Sequence, residues 1–248
     1  MGLVKVESSE GITTITMTRA EKRNALNQQL CDELLDAYTA FEAGPDQVAV
    51  LQADGPAFCV GADLKEPPAA MWKAVPHVSH KLSKPVIGVT QGWVIGGAIC
   101  MVMTCDLMVS ADTTKFMYPE AKVGVFGGLM PGIVSRMPHK VAMELLLLGE
   151  EISVKRAYDV GFVNKVVPLG EERKEGRRMA KIIAASAPLM GRQNVPRDQW
   201  LEMGYECPHC GEQISEADVY AWRPMPEDPK LLLLWCPNCG DRVEINHV

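Results

Sequence analysis

Gly92-Trp93-Val94-Ile95-Gly96-Gly97-Ala98-Ile99-Cys100 is the segment whose reading decides the fold. A short apolar run meets a glycine pair, and an apolar helical pattern begins at that pair. A helix start leaves backbone N–H groups unpaired and partly positive. Glycine lets another group approach that backbone closely. A second glycine turn, Cys59-Val60-Gly61-Ala62-Asp63, lies upstream. Two N–H groups aimed at one point would form an oxyanion hole. Position 100, one helical turn beyond Gly97, carries a cysteine.

Outward from this segment, strand and helix patterns alternate. Val4 to Thr18 reads as two short strands around Glu10-Gly11. Asn27 is placed to cap a helix whose Leu30, Leu34, Tyr38 and Phe41 share one face, with Gly44-Pro45 ending it. Val48 to Ala53, Pro85 to Thr90, Leu107 to Ser110 and Phe162 to Val167 read as strands. His139 to Leu148, a short helix capped by Ser153, and Glu171 to Ala185 read as helices. Such alternation predicts an α/β domain with a mostly parallel sheet. The pattern weakens after Ser186-Ala187-Pro188, and Met190 to Met203 reads as a linker or irregular helix.

The 248 residues allow one large domain and one small one. A hydrophobic content of 47% with 23% charged residues fits a globular chain. No apolar run approaches ~18 residues, and the first residues lack an apolar signal core. No membrane partner and a cytoplasmic location are therefore expected. Of the net charge of −6, residues 204–248 carry −5, with three basic residues against eight acidic. No part has the clustered Lys and Arg of a nucleic-acid surface.

Several ordered motifs are similar to the crotonase (enoyl-CoA hydratase/isomerase) superfamily. They are Lys22-Arg23-Asn24-Ala25-Leu26-Asn27, Phe58 to Glu66, Lys84 to Val89, Gly92 to Asp106, Tyr118-Pro119-Glu120 and Ala157 to Val163. The resemblance covers roughly residues 1–190 and implies stacked β-β-α turns, assembled as a trimer or a hexamer. It also implies a coenzyme A thioester as substrate. The N–H groups of Ala62 and Gly97 would hold the thioester oxygen, with Ala25, Gly61, Asp63, Leu64, Gly96 and Cys100 around the substrate. An α-proton next to a thioester is weakly acidic, so its removal requires stabilisation of the enolate oxygen. Preorganised donors supply about 3–4 kcal/mol each.

Hydratases of this family use two glutamates to orient water and shuttle its protons. The resemblance places the first at Cys100 and the second at Glu120. A thiol with a pKa near ~8.5 is a poor carboxylate substitute. Retention of only the second glutamate resembles the enoyl-CoA isomerases, in which one carboxylate moves a proton between carbons. The expected function is an acyl-CoA isomerase or hydratase (lyase) with Glu120 as acid/base. Decarboxylase or hydrolase activity, and a catalytically weak assembly subunit, are the alternatives. Cys100 reads as a pocket filler rather than a nucleophile, since no His lies near it in sequence. Asp63 reads as a loop-orienting group and Asp106 as structural. Met71, Trp72, His77, His80, Phe126 and Met130 are candidate pocket residues.

Residues 204–248 carry a separate signal. Cys207-Pro208-His209-Cys210-Gly211 and Cys236-Pro237-Asn238-Cys239-Gly240 are two Cys-Pro-x-Cys-Gly knuckles. Cys207, Cys210, Cys236 and Cys239 form a tetrahedral four-sulfur pattern, similar to a zinc ribbon. Structural zinc is the expected ion, with rubredoxin-like iron as the alternative. The metal would supply much of the stability of so small a unit. The organisation expected is a crotonase-like domain over 1–190, a linker over 191–203 and a four-cysteine zinc-ribbon-like domain over 204–248. Val219 to Trp222 and Leu231 to Trp235 read as ribbon strands with spare apolar surface for docking.

Overall fold

The computed structural model describes residues 2–124 and 130–185 and, beyond them, strands at 205–206, 213–214, 223–225, 228–235 and 242–246. The chain divides into two compact units, residues 1–184 and 185–248. In the first, the strands are β1 (Val4–Ser9), β2 (Ile12–Met17), β3 (Val48–Ala53), β4 (Val86–Thr90), β5 (Trp93–Ile95), β6 (Leu107–Ala111), β7 (Lys115–Met117), β8 (Ile152–Ser153) and β9 (Lys165–Val167). The helices are α1 (Gln28–Ala43), α2 (Gly97–Met103), α3 (Met130–Val134), α4 (His139–Leu148), α5 (Val154–Asp159) and α6 (Glu172–Ala185).

The main sheet runs β1-β2-β3-β4-β6-β9. Within it β1 and β2 are antiparallel, joined by the Glu10-Gly11 turn; the other pairs are parallel. A parallel sheet needs both faces covered. Alternate residues of the strands do this: Ile12, Val48, Val50, Ile87, Val89 and Val109 pack with Ala180 of α6 on one face. Ile15, Leu51 and Met108 join the larger core with α1 and α2 on the other. Gly176 has no side chain where α6 meets Val89, so the helix can lie directly on the sheet.

Local sequence explains the ends of α1. Asn27 accepts from Leu30 N–H at 3.0 Å, a cap worth about 1 kcal/mol. Leu30, Leu34, Tyr38 and Phe41 are buried on its inner face. The strand expected over Phe162 to Val167 begins only at Lys165. Phe162 and Val163 instead donate to Ala157 O at 2.9 and 3.3 Å, closing the end of α5, and the Phe162 ring packs edge-on against Phe116. No helix among the described residues is long and apolar enough to cross a membrane.

Trp93 to Ile95 belongs to a second, three-stranded sheet, β5-β7-β8. β5 leads directly into α2. This sheet and the β4–β6 pair of the main sheet hold α2 from two sides, through Gly96 N–H to Met117 O (2.9 Å) and Asp106 N–H to Val86 O (2.9 Å).

In the second unit, β10 (Tyr205–Glu206) pairs antiparallel with β11 (Gln213–Ile214). β12 (Arg223–Met225), β13 (Asp228–Trp235) and β14 (Arg242–Asn246) form an antiparallel sheet in which β13 is central. The strand expected over Leu231 to Trp235 is the latter part of β13. The expected linker over 191–203, the expected strand over Val219 to Trp222 and the four cysteines lie outside the described residues.

Candidate active site

Gly96 adopts φ 57° and ψ −121° at the start of α2. Its position is constrained by conformation and by space. A Cβ there would lie 2.5 Å from Glu120 Oε1, so the carboxylate rests over the Gly96 backbone. Gly97 follows as the first residue of α2, where an N–H has no intrahelical acceptor. A Cβ on Gly97 would lie 2.5 Å from Met71 Sδ and 3.6 Å from Leu26 Cδ1. The Met71 thioether is thus seated on Gly97.

The upstream turn reaches the same place. Leu26 N–H donates to Gly61 O (2.8 Å) and Asp63 N–H donates to Leu26 O (2.8 Å). These two bonds form the parallel bridge between Leu26 and Ala62. In parallel pairing the residue between two such bonds turns its own N–H to the opposite side. Gly61, at φ 85°, leans on the α2 entry: a Cβ there would stand 2.9 Å from Ile95 O and 3.7 Å from Gly97 N. Cys59 adds a second rung, with Cys59 N–H to Trp93 O at 3.1 Å and Ile95 N–H to Cys59 O at 3.0 Å.

Glu120 comes from a 3-10 turn over Pro119–Val123 that follows β7. Gly149, ending α4 at φ 56°, packs against Pro119 Cα and Tyr118 O from behind. Among the described residues, Glu120 Oε2 is buried with no hydrogen-bond partner. An orphaned carboxylate oxygen is costly, on the order of 1–3 kcal/mol or more. Burial holds the Glu120 carboxyl above its ordinary pKa, with its own backbone N–H opposing. Cys100 faces this group from α2. Burial, and secondarily the Glu120 charge, push its thiol up to about 11. Tyr118, 3% exposed, adjoins both; burial and then the Cys100 and Glu120 charges raise its hydroxyl well above its usual value. One orphaned acid among un-ionised neighbours is an arrangement suited to proton transfer.

Residues 7–195 match the family described as enoyl-CoA hydratase/isomerase. The chain belongs to the enoyl-CoA hydratase/isomerase family. It is similar to the (E)-benzylidenesuccinyl-CoA hydratase of Thauera aromatica, with 32% identity over 75% of this chain and 78% of that protein. It is similar to the probable enoyl-CoA hydratase echA8 of Mycobacterium bovis, at 32% over 78% of this chain and 81% of the other. Among solved structures, the carnitinyl-CoA hydratase of Mycobacterium avium superposes with a TM-score of 0.71 at 31% identity, covering 76% of this chain and 77% of that one. The α/β crotonase-like fold expected from the sequence is shared with these enzymes.

Within this hydratase/isomerase, the structure brings Ala25, Gly61, Ala62, Asp63, Gly96, Gly97, Cys100 and Glu120 into one neighbourhood. Leu64 follows the turn, but its side chain is 93% exposed. Of the expected pocket residues, Met71 reaches the centre. Trp72 is about half exposed. His77 Nε2 lies 3.2 Å from Asp106 Oδ2, which also accepts Val86 N–H. Phe126 lies outside the described residues, and Met130 begins α3. Two features escape the sequence reading: the place of Tyr118 beside Cys100, and Arg19 altogether. Arg19 is 6% exposed, and its guanidinium reaches both segments of the Leu26–Ala62 bridge, Ala25 on one and Asp63 on the other. In the sequence it is one of several charges, Arg19, Glu21, Lys22 and Arg23, that follow an uncharged strand, and nothing local singles it out. A cavity of about 290 Å³ lined by Val102, Asp106, Arg136 and Asn164 lies beyond the far end of α2, apart from these groups.

Proposed function

We propose that the peptide N–H groups of Ala62 and Gly97 bind the thioester oxygen of an acyl-CoA and that Glu120 moves the proton. The observation that carries this reading is the buried Glu120 Oε2, without a hydrogen-bond partner among the described residues, beside Gly96 and one residue from Gly97. Removal of a proton next to the thioester places negative charge on its oxygen, where the two N–H groups would stabilise it. Glu120 receives the proton and returns it to another carbon, which is isomerisation. The energetic preference of Glu120 for its neutral form makes it a competent base whose conjugate acid is ready to give the proton back.

Hydration is the second reading, favoured by the names of the similar proteins, which are hydratases. Glu120 would then take a proton from water and deliver one to the α-carbon without a second carboxylate. Cys100 does not serve as that second group, because a thiol near pKa 11 remains protonated at neutral pH. The same value disfavours acyl-enzyme formation on Cys100. A screen of CoA thioesters with mass detection tests the assignment. An isomer of unchanged mass supports the first reading and gain of one water the second. Loss of carbon dioxide or release of free CoA contradicts both.

The second unit is read as a zinc-ribbon-like domain with four cysteine ligands over 204–248, after a linker over 191–203. Support comes from spacing. The pairs Glu206–Gln213 and Trp235–Arg242 each close a six-residue connection between antiparallel strands. Each connection carries cysteines at its first and fourth positions, Cys207 and Cys210 in one and Cys236 and Cys239 in the other. Four thiolates suit tetrahedral Zn²⁺ and leave no position open, so the ion would be structural. Metal content of the purified chain near one zinc supports this; its absence, or iron, opposes it. A cytoplasmic, trimeric or hexameric enzyme is the assembly consistent with the family.

A further inference from the structure

We propose that Arg19 is a positioning residue that fixes the Ala62 N–H by holding Asp63 and Ala25 in a single buried grip. Arg19 Nη1 donates to Ala25 O at 2.8 Å and to Asp63 Oδ2 at 2.7 Å, and Nη2 reaches Glu66 Oε2 at 3.3 Å. The Arg19 and Asp63 side chains are 8% and 11% exposed. Asp63 Oδ1 in turn accepts Lys65 N–H (2.9 Å) and Glu66 N–H (3.3 Å). Asp63 is therefore held at both oxygens, once by its own turn and once by Arg19. That double hold keeps its carboxyl below the ordinary range, with the Arg19 bond the largest cause.

The consequence falls on Ala62. The peptide planes on its two sides are held through Gly61 O and Asp63 N–H, both bonded to Leu26, and the first of them carries the Ala62 N–H. Arg19 ties the residue before Leu26 to the residue after Ala62, across the bridge that these two bonds form. Leu26 and Ala62 then cannot slide past each other without breaking a charge-assisted bond inside a nearly closed site. Both bonds leave from the single atom Nη1, while Nη2 serves Glu66; lysine keeps the charge but has a shorter side chain ending in one nitrogen, so it gives up the Glu66 bond and reaches Ala25 O and Asp63 Oδ2 less well. Arg19 acts only through the direction of one N–H, and the proposal rests on the reading of Ala62 and Gly97 as oxyanion donors.

The test uses full-length protein, Arg19→Lys and Asp63→Asn, with butyryl-CoA carrying heavy carbon at its carbonyl. Butyryl-CoA has no double bond to hydrate or shift, so its carbonyl stretch is read by infrared difference spectroscopy in an unreacted complex. Wild type is expected to lower the stretch relative to free thioester. Each variant is expected to lose most of that lowering. With crotonyl-CoA, kcat should fall about 100-fold, the scale set by an ångström-sized misplacement, with KM changing little. Asp63→Asn keeps the shape and the Ala25 bond, so it carries the test if Arg19→Lys folds poorly. A full wild-type carbonyl shift in a folded variant, or a loss confined to KM, overturns the positioning role. An unshifted carbonyl in wild type overturns instead the oxyanion reading beneath it.

Discussion

The Glu120 carboxylate lies over the Gly96 backbone so closely that a Cβ at position 96 would stand 2.5 Å from Glu120 Oε1. Gly96 also has φ 57°. Gly96→Ala therefore forces an alanine to a positive φ with ψ near −121°, a region left almost entirely to glycine and costing on the order of 1–3 kcal/mol, and displaces the carboxylate as well. Gly97→Ala meets mainly the flexible end of Met71. Activity of Gly96→Ala should fall at least ~100-fold and its Tm should drop, whereas Gly97→Ala should keep a near-native Tm. Thermal melts and initial rates on the two variants check this; equal stability losses would contradict it.

The pH dependence follows from Glu120. Its pKa is raised above 4.5 on folding by burial. The base form is needed, so kcat/KM should rise with pH through an apparent pKa above the ordinary glutamate value. For stability the sign is opposite to that of a salt-bridged acid. Ionisation is disfavoured in the native state, so this group's contribution is complete at low pH and is lost as pH rises through the raised pKa. Glu120→Gln has no such loss. Its Tm should gain on wild type as the pH rises above the ordinary glutamate value of 4.5 toward neutrality. A Tm difference that is constant over this range would show that Glu120 is not desolvated.

Cys100 faces Glu120. Cys100→Glu places a second carboxylate beside the first, and like charges at that distance disfavour double ionisation. The rising limb of the rate profile should move to higher pH. The ratio of hydrated to isomerised product from a suitable enoyl-CoA should also increase. Mass analysis of products across pH measures both, and an unchanged product ratio would mean that Cys100 does not face the bound acyl chain.

Met71 Sδ sits on Gly97, the residue assigned to the thioester oxygen. Met71→Ala should widen the space there. The preferred substrate should shift toward longer or branched acyl groups, with KM for a short enoyl-CoA rising several-fold. A chain-length series of kcat/KM values reads this directly. An unchanged order of preference would place the acyl chain elsewhere.

Most of the first unit is legible in the sequence because its cues are local. The Asn27 cap, the apolar run of Val48 to Ala53 and the Gly149 helix stop each act within a few residues. The pairing of Gly61 with Gly96-Gly97 is legible only through the family resemblance, since no local rule brings residues 61 and 97 together. Phe162-Val163 is misleading because apolar residues that close a helix look like a strand start. Arg19 escapes for a related reason. Its bonds to Ala25 and Asp63 span 6 and 44 residues, and a buried arginine has no sequence pattern of its own. Tyr118 belongs to a recognisable motif, yet its place beside Cys100 depends on the β5–β7 pairing.

The central claim is that Glu120 carries the proton to and from the carbon next to the thioester. Deuterium incorporation into a bound acyl-CoA in heavy water, followed by mass detection, tests it most directly when wild type and Glu120→Gln are compared at saturating thioester. Exchange is expected in wild type, with at least a ~100-fold slower rate in Glu120→Gln and acyl-CoA binding retained. Exchange at the wild-type rate in Glu120→Gln would contradict the claim.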